Sequence, residues 1–395
     1  MKKNRQSKTA AAAEISRHNG SGWRRWLPLG LACSTPPLLR AENQVDYRYE
    51  YYVEDGNRME IQTHSVYFEQ KLIDRIIAKG ELTYDGVSGA TPVGTHYHGH
   101  AAMLKPPMFD IRRSINLEFD GRLANHTVTP GFAYSKEHDY QSYGISLNDA
   151  MEFNDKNTIL QLGVSHNFDS VRKADKHTWL DKDATEVIIG VSQLLSPKTI
   201  FNADFTLGND TGYLSDPYRL AEFHPVNFPA TSTVGVIERR PSQRTKEVLF
   251  TSLTYYVEPL NASIEGSYRF YHDSYDVSAH TVELTWHQWL GKHIMVEPLF
   301  RISEQSAASF YTTTFSGPFA WILNPAGPPG FHSSDYRLSE FYSIDYGLQA
   351  SVLVTDWMKI TAGYHRYEMN GLDGKTTADM YPKANIFTVG IAFTW

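Results

Sequence analysis

From about residue 44 to the end of the chain, apolar and polar positions alternate with a period of two, which predicts half-buried β-strands. In "LNASIEGSYRFY" the apolar or small set is Leu260, Ala262, Ile264, Gly266, Tyr268 and Phe270; Asn261, Ser263, Glu265, Ser267 and Arg269 form the polar set. The next stretch, "HTVELTWHQW", sets Val282, Leu284 and Trp286 against Glu283, Thr285 and His287. "IMVEPLFRIS" then sets Ile294, Val296, Pro298, Phe300 and Ile302 against Glu297, Arg301 and Ser303. About sixteen such segments follow one another, from 44–53 to 386–395, each near the ten or so residues that a tilted strand needs to cross a bilayer.

The connections sort by parity. Alternate turns are very short, as in "IDR", "NDKN", "SPKT", "EPLN", "LGKH" and "TDW", whereas the intervening ones are longer and three are very long, at roughly 87–110, 209–245 and 304–339. Short turns at one end and long loops at the other is the asymmetry of outer-membrane barrels, with tight periplasmic turns and extended extracellular loops. A soluble sandwich also alternates, but its strands are nearer six residues and its loops do not sort this way. The expected fold is therefore all-β: a transmembrane antiparallel up-and-down barrel of about sixteen strands over residues 42–395.

The last nine residues, "FTVGIAFTW", put Phe387, Val389, Ile391, Phe393 and Trp395 on one face. That resembles the closing strand of Gram-negative outer-membrane barrels, which the barrel assembly machinery reads. Outer-membrane lipid and that machinery are the partners this implies.

Composition agrees with the pattern. Aromatics are 13 % of the chain, with 24 Tyr and 20 Phe, residues that favour strands and membrane interfaces. The one cysteine, Cys33, lies in the N-terminal segment and leaves no disulfide framework for the barrel. Residues 1–41 carry eight Lys/Arg against Glu14, followed by the short apolar run "WLPLGLACS" and Ala41, and read as an export signal or a disordered segment. Without it the chain has 29 basic and 43 acidic side chains, a net charge near −14, which disfavours nucleic-acid binding.

"SYRFYHDSYDVSAHTVEL" (267–284), "EPLFRISEQSAASFY" (297–311) and "YDGVSGATP" (84–92) resemble a bacterial outer-membrane barrel family catalogued as domain of unknown function 3570. Family members usually show an aromatic-rich pattern where this chain has Ile302 and Ser303. The resemblance implies a fold and a location, and hints at an exported redox setting. It carries no catalytic residue.

Candidate chemistry lies on the polar face. Glu265 and Arg269, Glu283 and His287, and Glu297 and Arg301 are each four apart on neighbouring strands, and charges do not face lipid cheaply. They are expected to line the lumen, either as a selectivity lining or as an internal salt-bridge network that fills it. "THYHGHAAM" is the one metal-like cluster: on an extended strand His96, His98 and His100 point the same way, enough for Zn²⁺ or Cu²⁺, with a solvated His-rich surface loop as the plainer alternative. The Gly/Pro-rich "GPFAWILNPAGPPGF" (317–331) is expected to fold into the mouth as a constriction. No nucleophile elbow, metalloprotease motif, phosphate loop or dinucleotide fingerprint occurs, so the chain reads as a non-enzyme without a cofactor. The function expected is a passive or gated pore for small polar solutes. The alternative is an outer-membrane anchoring or docking barrel for exported redox or metal-handling partners.

Overall fold

In the computed structural model of the protein, residues 43–89, 92–97, 100–103, 108–173, 177–229, 232–324 and 327–395 are described; the expected export signal at 1–41 lies outside them. The alternating segments form sixteen antiparallel strands: β1 (Asn43–Glu54), β2 (Met59–Ile73), β3 (Ile76–Gly89), β4 (Met108–Leu123), β5 (His126–Lys136), β6 (Tyr140–Phe153), β7 (Thr158–Arg172), β8 (Trp179–Ser196), β9 (Thr199–Gly212), β10 (Gln243–Val257), β11 (Ala262–Asp273), β12 (Ser278–Leu290), β13 (Ile294–Gln305), β14 (Phe341–Thr355), β15 (Met358–Gly371) and β16 (Lys383–Thr394). Each pairs with its successor, and β16 pairs back onto β1, with Phe387 opposite Tyr51, Ile391 opposite Tyr47 and Phe393 opposite Val45. Closure leaves no sheet edge, which is the condition for strands to sit in hydrocarbon. No described helix is long and apolar enough to cross a membrane.

Parity decides what each wall is made of. Leu82, Ile145, Val187, Ile189, Leu284 and Val389 are exposed on the outer surface, while their chain neighbours turn inward. The inward set is polar over most of the wall: Glu81, Glu186, Ser192, Glu283, Thr285 and Thr388 are all buried. This is the apolar-out, polar-in order of a membrane barrel.

Short hairpins close the end that carries both termini. Two use backbone that few residues adopt, Asn261 at φ 48° before β11 and Gly291 at φ 67° before β13, and Asn and Gly tolerate it best. Two prolines inside strands leave their mark as well. The β4–β5 ladder skips between Glu118–Gly131 and Gly121–Val128, around Pro130, and the β12–β13 ladder skips between Thr285–Leu299 and Gln288–Val296, around Pro298. Proline has no N–H to donate, so pairing breaks there.

At the opposite end three long connections, 90–107, 213–242 and 306–340, hold their own structure. Leu220–Pro225 pairs antiparallel with Val234–Ile237 and parallel with Thr314–Gly317, joining two of the loops into a three-stranded sheet. Pro92–Tyr97 and His100–Met103 form a small hairpin in the third.

Candidate functional site

The six charged residues singled out on the polar face all occupy inward positions, since Tyr268, Leu284, Phe300 and Ile302 beside them point out. Glu265 and Glu283 are buried. The Arg269 guanidinium lies over the Tyr271 ring at 5.4 Å. Arg301 is paired in register with Glu283 on one side and Asp345 on the other. At the ladder gap around Pro298, His287 Nδ1 is 2.8 Å from Glu297 Oε1, and Gln349 Nε2 donates to Glu297 Oε2 at 2.8 Å. An inward histidine is thereby oriented by a carboxylate that a second strand also holds.

A longer charge ladder runs along β7 to β11, and the strand pattern alone did not single it out. Lys182 Nζ lies 3.7 Å from Asp169, Lys246 Nζ lies 2.9 Å from Asp210 and 3.1 Å from Glu186, and Arg244 Nε donates to Asp273 at 2.7 Å. A second patch sits on β3 and β4, where Lys79 meets Asp120 and Arg112 Nε lies 2.6 Å from Asp85. The signal was present as lysines and carboxylates at alternate positions in "WLDKDATE" and "RTKE", but which pair would form depends on register.

The long loops bridge the mouth. Arg219 in 213–242 donates to the Pro92 carbonyl in 90–107, and Gly94 approaches so closely that a Cβ there would lie 2.6 Å from the Leu220 carbonyl. Tyr218 bonds Asp139 between β5 and β6. Arg240 contacts Glu238 at 2.7 Å and Asp335 at 2.6 Å, and Arg337 holds both Asp335 and Asp216, the latter at 2.8 Å. Arg219, Glu238, Arg240 and Asp335 are buried, Asp335 at 0 % exposure. Burial by itself raises a carboxyl, yet the guanidiniums of Arg337, Arg219 and Arg240 hold Asp335 well below the usual range. Burial pushes the Glu238 carboxyl up, outweighing its Arg240 partner. Next to this network Tyr336 packs with Tyr52, Met59, Ile61, Met369 and Ile386 on the inner wall and with Met380 and Tyr381, so residue 336 reaches inside the barrel rim.

Two expectations change here. In the Gly/Pro-rich stretch, Phe319, Leu323 and Phe331 are exposed, and the inward turn comes instead just after it, at residues 332–338. The histidine cluster does not lie on one extended strand, because Tyr97 pairs with His100 and the chain reverses between them. His98 and the side chains of His96 and His100 lie outside the described residues. A different group, Asp110, Glu137 and Asp139, brings three carboxylates within 4.8 Å at the loop end of β4 and β5. Phe387 and Val389 on β16 and Trp395 just after it are exposed, and Trp357 stacks on Phe393 with centroids 6.0 Å apart.

A closed sixteen-strand barrel with an apolar outer belt and a polar interior is an outer-membrane protein of Gram-negative type. The chain belongs to the family described as "Protein of unknown function (DUF3570)", whose model matches residues 32–182 and 172–395. No curated protein matches it. Among solved structures it is similar to CdiB from Acinetobacter baumannii, at 8 % identity and TM-score 0.51, covering 89 % of this chain and 60 % of that one. It is also similar to a bacterial polysaccharide outer membrane secretin (10 % identity, TM-score 0.47, 90 % and 99 % covered) and to OmpT of Vibrio cholerae (10 %, 0.43, 90 % and 97 %). Such identities speak to the fold alone.

The non-enzyme expectation is corrected by these findings. The matched family is one of unknown function, so family membership does not confine the chain to a non-catalytic role. The physical reason is that a barrel brings together residues from separate strands, so a missing sequential motif excludes no site.

Proposed function

We propose that the protein is a gated pore for small polar solutes. The observation that carries this reading is the inner wall, where buried Glu, Asp, Lys and Arg side chains alternate with Ser and Thr from strand to strand. Ion pairs hold those charges where they are buried, and the half-buried inward ones keep contact with water. The bridged mouth supplies the gate: loops 213–242 and 306–340 are locked by Arg240, Asp335 and Arg337 across the extracellular end.

Single-channel recording in planar bilayers tests it. Currents are expected from the purified barrel, with longer open times once the lock is weakened by Asp335→Asn. A folded barrel that stays silent in both forms ends the pore reading and leaves the anchoring or docking barrel for exported redox or metal-handling partners. Delivery to the membrane is proposed to depend on the outward face of β16, from Phe387 to Trp395, as the element that the assembly machinery reads.

A further inference from the structure

We infer that the lumen admits small cations in preference to anions, an inference that rests on the pore reading. Among the described residues, the buried charged side chains on barrel strands are thirteen carboxylates against four lysines or arginines. The carboxylates are spread over nine of the sixteen strands, so the excess belongs to the whole wall. Counting the half-buried inward charges as well, Arg269 and Arg301 included, acids still lead by nineteen to ten.

The few buried bases are each committed to carboxylates. Lys79 is with Asp120, Lys182 with Asp169, Arg244 with Asp273, and Lys246 with Asp210 and Glu186. Asp85 is likewise met by Arg112 and Glu54 by Arg58, so pairing is general along the wall, and what the lumen carries is the net excess of carboxylates over bases. Lipid surrounds this wall on the outside, and a narrow aqueous space with low-dielectric walls concentrates the field of one sign. The counter-ion of such a field is a cation.

The β11–β14 sector offers the handles for a test. Glu265, Glu283 and Asp345 are buried inward carboxylates there, and the half-buried Glu297 lies on the same wall. The reversal potential of reconstituted channels under a ten-fold KCl gradient reports the permeability ratio directly. A potassium-to-chloride ratio on the order of ten is expected, from the local counter-ion enrichment that such a field produces. Glu265→Gln with Glu283→Gln is expected to bring that ratio severalfold toward one, and Arg301→Gln to raise it. If the double variant fails to fold, Glu297→Gln reads the same direction from a half-buried position. Open channels with a ratio at or below one, or a ratio that the neutralised variants leave unmoved, overturn the inference while the pore stands. Folded barrels that never conduct, native or with the loops released, overturn both.

Discussion

Asp335→Asn removes one negative charge from the middle of the mouth lock and keeps the volume of the side chain. In the native protein that carboxylate takes Arg337 Nε at 2.8 Å, Arg240 at 2.6 Å and Arg219 at 4.0 Å, with no exposure to water. The asparagine oxygen can accept from one guanidinium but cannot neutralise three. Breaking a buried ion pair at one partner costs about 3–5 kcal/mol, because the remaining charges stay desolvated. The sixteen-strand ladder does not use these contacts, so the loss is local: at about 3 kcal/mol the opening constant of loops 213–242 and 306–340 rises roughly 100-fold. Limited trypsin digestion reads that constant, since Arg219, Arg239 and Arg337 are all in these loops. Faster cleavage there, with the barrel still folded by its gel mobility before and after heating, is the expected outcome. Equal cleavage rates in the two proteins would refute the lock.

The same site has a defined acid response. Asp335 titrates below its ordinary value of 3.8, so the stability it supplies is present above that value and is lost only as pH falls through the lower, folded one. Glu238 is shifted the other way, so mild acid relieves its burial instead of breaking the lock. Trypsin protection of the loops is therefore expected to hold from pH 7 to pH 5, and loss within that range would contradict the assignment. On the inner wall, Lys246→Ala strands Glu186 and Asp210 and is expected to destabilise the barrel by about 3 kcal/mol, read as a lower guanidinium midpoint in reversible unfolding. Leu284→Arg puts a charge on the lipid face and should cost about 2–4 kcal/mol if it lies near the midplane, measured by folding into lipid vesicles. Trp395→Ala is expected to lower the yield of folded barrel in the outer membrane of cells several-fold while leaving refolding of the purified chain into detergent unchanged. Equal loss in both would make Trp395 a packing residue.

Period-two alternation was enough to place the strands, because in a barrel wall the same residue both pairs and chooses a side. Glu265, Glu283, Glu297 and Arg301 could be assigned inward from their outward neighbours, and "FTVGIAFTW" could be assigned to the closing strand, from local spacing alone. Even the family was legible, in stretches that lie on β3 and on β11 to β13. What local spacing does not carry is which charge meets which. The Lys246–Asp210 contact depends on the register of β9 against β10, and a slip of one residue would turn either side chain toward lipid. The mouth is further still from the sequence, since Arg240 and Asp335 are 95 residues apart and Arg219 and Pro92 are 127 apart. Apolar content pointed to 317–331 as the inward segment, yet Phe319 and Phe331 are exposed and Tyr336 is buried against the inner wall. Once three loops share one buried network, their ion pairs and not their hydropathy decide which residues turn inward. The sequence by itself thus determined a membrane barrel, its short turns at one end and long loops at the other, and its polar interior, because these follow from neighbours along the chain. Only the tertiary structure decided the lock across the mouth and the pairing within the wall, because those depend on charges that meet after the barrel has closed.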